Sequence, residues 1–281
     1  MPYVKRRLPF AARYTLLLAV AWPVTVVAQQ SPATTTVALA ERSLASRAPT
    51  VAELLAEGDR AFDARRAADA LTRYEQALAL APERYDVLWR TARTLIDVGE
   101  AEANETKRRA AFARANELAA RAVKANPSDA EGHFHQSRAL GRVALSVAPR
   151  QRTKYAVEIR ETAMRALAID PDHAGAQHVL GRWHAEIMRL NGFMRSMAKT
   201  FLGGRVFDQA SWAEAVRLLE GACDQEPNRT IHLLALGQVY RDAGDKVAAR
   251  RALEAAVRAP LKDPNDDVYK REAERDLRAL R

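Results

Sequence analysis

The segment RAADALTRYEQALALAP (66–82) places apolar and small side chains at helical spacing and then stops at a proline. This spacing is typical of an amphipathic helix, and proline ends the helix because its ring cannot continue the hydrogen-bonding ladder. This pattern recurs four more times, and in the first four segments an alanine precedes the proline by five residues. The five segments are ALALAP (77–82), AVKANP (122–127), ALAIDP (166–171), ACDQEP (222–227) and AVRAPL (256–261). Their recurrence predicts a helical repeat protein.

The last unit shows the internal pattern of a repeat. Large and small residues follow one another through it in the order Leu233, Leu236, Gly237, Tyr240, Gly244, Asp245, Ala249, Leu253 and Ala256. This order resembles the tetratricopeptide repeat, in which each unit is a pair of helices. The first unit fits the same frame less well in its first helix, at Leu54, Gly58, Ala70, Tyr74, Ala77 and Pro82. The resemblance implies an all-α solenoid of about five helix pairs with a C-terminal capping helix, because one pair cannot bury its apolar face alone.

The layout of the middle units narrows this resemblance. The second and third units are elongated, an insertion runs through FLGG (201–204), and two further motifs are VLWRTAR (87–93) and VLGRWHAE (179–186). Over roughly residues 50–280 the chain resembles the regulator of microtubule dynamics family and its bacterial tetratricopeptide relatives. The family name implies association with microtubules, a cytoplasmic role that the export signal described next does not favour.

The N-terminal residues predict export. Basic residues at 5–7 and Arg13 precede an apolar run from Thr15, and small residues follow at Val26 and Ala28, as in a secretory signal peptide cleaved near Ala28. We therefore expect a periplasmic or secreted protein, with a cleaved signal favoured over a retained anchor. The predicted organisation is a signal peptide (1–28), a flexible linker (29–50), and a solenoid (51–281) with repeats at about 51–84, 85–129, 130–173, 174–229 and 230–263 and a cap at 265–280.

Charge and composition argue against several function classes. Loss of the four basic residues of the leader lowers the formal net charge from +9 to +5, which is too mild for a typical nucleic-acid-binding surface. The sequence contains no GxSxG motif, no glycine-rich phosphate loop and no pair of carboxylates converging at helical spacing, so a non-enzymatic protein without cofactor is expected. The six histidines lack metal-binding spacing, and Cys223 is expected to be a buried, unreactive thiol.

The repeat resemblance also points to a binding groove. In such repeats, positions five and nine of each first helix face the concave side, and here these are Leu55 and Asp59, Trp89 and Arg93, Phe134 and Arg138, His178 and Arg182, and Leu234 and Gln238. The middle three pairs place a ring beside an arginine. Such a stripe would stack on side chains and bind the carboxylates of an acidic peptide or a chain terminus. Alternatively, the arginines pair internally with acids such as Asp97 and Glu186 while the rings fill gaps between helices.

These features favour an exported scaffold or adaptor that binds protein partners through its groove. The insertion (186–210) carries Phe193, Met194, Met197 and Phe201 on one helical face. We expect this stripe to fold back on the solenoid and line or plug the groove, with membrane contact through 193–207 as the less favoured interpretation. The alternatives that remain are an envelope assembly factor using its convex face, a cytoplasmic cytoskeletal regulator, and a hydrolase or transferase with a dispersed site.

Overall fold

The computed structural model describes residues 48–190 and 204–280. Within these ranges the chain forms eleven α-helices and one 3-10 helix and contains no strand, which confirms the all-α fold class. Residues from Pro49 onward form one compact unit. The helices are α1 (Val51–Asp63), α2 (Ala67–Leu80), α3 (Tyr85–Ala101), α4 (Glu105–Ala125), α5 (Ala130–Leu145), α6 (Pro149–Ile169), α7 (Ala174–Arg189), the 3-10 helix (Gly204–Gln209), α8 (Trp212–Gln225), α9 (Thr230–Ala243), α10 (Lys246–Arg258) and α11 (Asp266–Ala279).

Successive helices pack in five pairs, from α1 with α2 to α9 with α10. The first helices of neighbouring pairs also contact each other, α3 with α5, α5 with α7 and α7 with α9, so the pairs stack in chain order. The last helix, α11, packs against both helices of the fifth pair. This arrangement is the predicted solenoid of helix pairs followed by a C-terminal helix.

The ends of the helices follow from local sequence signals. α2, α4, α6 and α8 each end two residues before the closing proline of their unit. Thr50 and Glu53 form a capping box at the start of α1, in which the Glu53 amide donates to Thr50 Oγ1 over 3.3 Å. Asp245 caps α10 after Gly244, whose φ of 96° lies in the left-handed region that glycine adopts without strain.

Small residues let the two helices of a pair approach closely. A Cβ atom built on Gly58 would lie 2.4 Å from Cε1 of Tyr74, and one built on Gly237 would lie 2.6 Å from Cγ of Leu253. No side chain fits at either position without movement of its neighbour. The glycine and large residue that marked the repeat frame are therefore the contacting surfaces of one helix pair.

The described end of the insertion belongs to the core. Phe207, 1% exposed, packs among residues of α6, α7 and α8, with its ring centroid 6.3 Å from that of Trp183. Trp183 in turn donates its indole N–H to the carbonyl of Ala156 over 2.7 Å. The apolar stripe at Phe193, Met194, Met197 and Phe201 lies outside the described residues, so its role stays a prediction. None of the helices in the described part combines the length and apolarity that a membrane span requires.

Candidate functional site

We define the inner wall as the surface formed by the first helices of the pairs, α1, α3, α5, α7 and α9. All six predicted stripe residues lie on three neighbouring members of this wall and are half-buried: Trp89, Arg93, Phe134, Arg138, His178 and Arg182. The flanking pairs differ, because Leu55 and Leu234 are buried in the core instead of lining the surface. The environments of the three arginines decide what this wall can bind.

Arg93 is held by the first repeat. Its guanidinium lies 3.7 Å from the centroid of the Phe62 ring and donates to the Tyr74 hydroxyl over 3.3 Å. Tyr74 donates to Asp59 over 2.6 Å, and Asp59 lies 3.9 Å from the same guanidinium. Burial and the hydrogen bond to Asp59 raise the pKa of Tyr74, which therefore stays protonated as a donor. Arg93 thus has an internal counter-charge and an internal ring to stack on.

Arg138 lies in a buried network of charges. Its guanidinium is 2.5 Å from Asp97 and 3.4 Å from Glu100, and Arg142 adds a second contact to Glu100 at 2.6 Å. Burial raises the pKa of Asp97, whereas at Glu100 the charges of Arg142 and Arg138 outweigh burial and lower the pKa. Arg138 is therefore paired with two carboxylates of the chain.

Arg182 differs from the other two. Its only ion pair in the described ranges is a 3.4 Å contact with Glu186, and that carboxylate also accepts from Arg189 over 2.6 Å. Burial lowers the pKa of Arg182, and the charges of Arg142 and Arg189 lower it further despite Glu186. The inner wall around Arg182 is thus short of negative charge.

The rings of the stripe are packed against other rings of the chain. Trp89 stacks on His135 with centroids 5.5 Å apart, and Phe134 lies 4.8 Å from the ring of His173. His178 lies beside His232, with their Nδ1 atoms 3.0 Å apart. Burial lowers the pKa of His178 well below its ordinary value, so this ring is neutral at pH 7. The rings therefore fill space between helices more than they offer open faces.

Glu131 links two histidines that the stripe did not include. Its carboxylate lies 3.1 Å from Nε2 of His135 and 3.6 Å from Nε2 of His173. Burial lowers the pKa of His135 to about 4, even though Glu131 favours its protonation. Glu131 and His135 are four residues apart on α5, which is a signal that the sequence offered. His173 lies 42 residues further along the chain, at the N-terminal cap of α7, and has no such signal.

The C-terminal helix crosses the inner wall. α11 packs on the fifth repeat, yet Tyr269 donates to Glu100 of the second repeat and Asp267 pairs with Arg65 of the first. Asn265 adds a 3.0 Å bond from Nδ2 to the carbonyl of Asp97. A helix that contacts the first, second and fifth repeats must pass over the surface between them. The sequence predicted a polar-faced cap here but not its contacts with the wall.

A cavity of about 750 Å³ lies beside this crossing, between α4, the α5–α6 turn and α11. Four arginines line it: Arg108, Arg109, Arg142 and Arg152. Arg109 pairs with Glu105 and Arg142 with Glu100, but Arg108 and Arg152 donate only to backbone carbonyls among the described residues. This edge of the wall therefore also carries an excess of positive charge.

The described residues contain no cluster of metal-ligating side chains. Cys223 is half-buried, less than the sequence predicted, and burial raises the pKa of its thiol to about 12. A thiol with this pKa is protonated at neutral pH and is a poor nucleophile. The chemistry that the site offers is therefore ion pairing and hydrogen bonding.

A family model described as "Regulator of microtubule dynamics protein 1-3" matches residues 54–281. The chain belongs to this family. Regulator of microtubule dynamics protein 1 of Bos taurus is 26% identical over 212 residues, which cover 75% of the chain and 65% of that protein. Protein 3 of Rattus norvegicus is 22% identical over 192 residues, covering 68% of the chain and 40% of that protein. The chain thus matches less than two thirds of the length of either relative.

A solved structure identifies the same architecture. A thermophilic tetratricopeptide repeat protein of Thermus thermophilus matches the chain with a TM-score of 0.57 at 19% identity, covering 80% of the chain and 99% of that protein. At this identity the likeness concerns the fold. Both resemblances found in the sequence, to the tetratricopeptide repeat and to the microtubule regulator family, are therefore confirmed.

Proposed function

We propose that the chain is an exported, non-enzymatic scaffold that binds an acidic protein segment or chain terminus on its inner wall. The observation that carries this proposal is that Arg182 has a single ion pair among the described residues, with a carboxylate that Arg189 shares, on a surface formed by stacked helix pairs. The proposed contact surface consists of the six stripe residues: Trp89, Arg93, Phe134, Arg138, His178 and Arg182. No cofactor and no nucleic acid takes part.

The physical basis is pre-organisation of the wall. Packing between neighbouring pairs fixes the first helices before a partner arrives, so little conformational entropy is lost on binding. A carboxylate of the partner would give Arg182 a second negatively charged partner, through a charge-assisted hydrogen bond of the kind that arginine forms with carboxylates. Arg93 and Arg138 already have such partners, and we assign them the role of supporting the surface around Arg182.

Affinity capture with matched variants tests the wall. The tagged mature chain, Arg182→Ala and Arg217→Ala would each be used to capture proteins from the cell envelope. Arg217 is an exposed arginine on α8 that pairs with Glu214, so it controls for loss of a positive charge elsewhere. We expect Arg182→Ala to recover at least tenfold less partner than the other two chains. Equal recovery by all three would reject the inner wall as the binding surface.

Export is a separate part of the proposal. The basic, apolar and small residues of 1–28 support cleavage near Ala28 and a periplasmic or secreted mature chain. N-terminal sequencing of the chain purified from its own cells tests this directly. Recovery of the intact N-terminus from the cytoplasm would overturn it.

The family supports one alternative function. Its members are named as regulators of microtubule dynamics, so a cytoplasmic, cytoskeleton-associated role is the second candidate. Co-sedimentation of the chain with polymerised tubulin would support this alternative. We expect the chain to remain in the supernatant. Its formal net charge after loss of the leader is only +5, and its excess positive charge lies in limited parts of the wall.

A further inference from the structure

The C-terminal helix α11 makes two kinds of contact. Its apolar residues Tyr269, Ala273, Leu277 and Leu280 pack with residues of α9 and α10, and Ala273 is completely buried. Its acidic residues instead bond to polar groups of the wall. The apolar residues repeat at spacings of three or four, and Glu272 and Asp276 lie four residues apart, as expected for an amphipathic helix in a groove.

The acidic contacts reach both ends of the wall. Asp267 pairs with Arg65 in the α1–α2 turn, and Asp276 pairs with Arg241 on α9 over 3.0 Å. Gln238, a predicted groove position, donates to Glu272 over 2.8 Å and to Asp276 over 2.9 Å. These are carboxylates bound by arginine and amide donors, the chemistry proposed for the partner.

Glu272 forms no ion pair with the arginine that carries the proposed function, since the ion pair of Arg182 among the described residues is with Glu186. The negative charge of Glu272 acts on Arg182 but does not restore the ordinary pKa of that arginine. The helix already in place therefore satisfies the wall only in part. A partner with a carboxylate closer to Arg182 would compensate the wall better than α11 does.

The ion pair between Asp267 and Arg65, at the start of α11, is open to exchange with water or with another helix. The side chains of Asp267 and Arg65 are 53% and 26% exposed, and ion pairs with this exposure contribute little to stability. Seven residues, 259–265, connect α10 to α11, and within them Asp263 pairs with Arg229 and Asn265 donates to the carbonyl of Asp97. A partner helix must therefore replace the contacts of Tyr269 and Ala273 as well as this ion pair.

We propose that α11 is a resident occupant of the inner wall, and that the partner is an acidic amphipathic helix that takes its place. This inference rests on the proposed function and names its partner class and its regulation. The partner helix carries two carboxylates four residues apart, as Glu272 and Asp276 are, beside apolar residues four apart, as Ala273 and Leu277 are. Until it arrives, α11 covers the wall and prevents capture of unrelated acidic chains.

A synthetic peptide of residues 262–280 serves as the probe. Its binding would be measured by fluorescence anisotropy to the full mature chain and to the same chain carrying Asp267→Asn, Glu272→Gln and Asp276→Asn. The substitutions weaken the hold of α11 and leave the wall unchanged. We expect the peptide to bind the substituted chain at least tenfold more tightly than the wild-type chain. A control peptide carrying the same three substitutions should bind neither chain.

Hydrogen exchange provides the second readout. In the substituted chain, the amides of α11 should exchange at least tenfold faster than in wild type, while those of α3 and α5 stay unchanged. Equal peptide affinity for both chains, or no binding to either, would overturn the inference. If Arg182→Ala still abolishes envelope capture in that case, the inner wall keeps its proposed function and only the role of α11 is rejected. If capture is also unaffected, the proposed function itself falls.

Discussion

Two arginines of the inner wall, Arg138 and Arg182, occupy equivalent positions of neighbouring repeats and have opposite surroundings. Arg138 is enclosed with Asp97 and Glu100, and these charges raise its pKa despite its burial. Arg182 has one shared carboxylate and a lowered pKa. A repeat position therefore fixes where a side chain lies but not whether its charge is used internally. The wall around Arg138 stabilises the fold, whereas the wall around Arg182 has positive charge that a partner can bind.

The largest effect should come from Arg138. Replacement by Ala leaves Asp97 and Glu100 buried with less counter-charge, which we expect to lower the free energy of unfolding by about 3–5 kcal/mol. Urea unfolding followed by circular dichroism measures this change. Arg114→Ala, which breaks a more exposed pair with Glu75, is the control and should cost under about 1 kcal/mol. Similar losses for the two variants would remove the contrast on which the comparison depends.

The second largest effect should come from acidification, which lowers the free energy of unfolding through His135 on α5. His135 stays neutral in the fold with a pKa of about 4, whereas in the unfolded chain it binds a proton near its ordinary pKa of 6.5. The unfolded state therefore binds more protons between these values, and stability falls as the pH falls through this window. From pH 7 to pH 5 we expect His135 to contribute a loss of about 2 kcal/mol.

The matched variant for this pH dependence is His135→Gln. It should remove most of the contribution of His135 to the acid loss, although His178, also neutral in the fold, still contributes. Urea titrations of both chains at pH 7 and pH 5 give the comparison. An identical acid loss in the variant would show that His135 is not the titrating group.

The smallest effect on stability should come from Arg182. Because its surroundings disfavour the charge, Arg182→Ala should change the free energy of unfolding by less than about 1 kcal/mol. The same urea titration measures it beside Arg138→Ala. A loss as large as that of Arg138→Ala would mean that Arg182 is also structural.

Much of the fold could be predicted from the sequence because its signals are local. Closing prolines such as Pro82 and Pro127 and the contact of Gly58 with Tyr74 lie within single repeats, where spacing alone determines proximity. The confirmed all-α class and stacked pairs follow from these signals.

The site could be predicted only in part, because its charge balance depends on distant residues. The partners of Arg138 lie 41 and 38 residues away, and Asp267 reaches Arg65 across 202 residues. Spacing along one helix carries no information about such contacts. The stripe positions were accessible from the repeat frame, and the alternative in which Asp97 and Glu186 pair with these arginines is confirmed. The second contact of Arg138, with Glu100, was not predicted.

Site-specific photocrosslinking tests the central claim most directly. A photoreactive phenylalanine analogue would replace His178 on the inner wall in one chain and Arg217 on α8 in another, and each chain would be illuminated in the cell envelope. We predict crosslinks to one protein from position 178 only, through a peptide rich in Asp and Glu. Crosslinks to that protein from position 217 alone, or equally from both positions, would contradict binding on the inner wall.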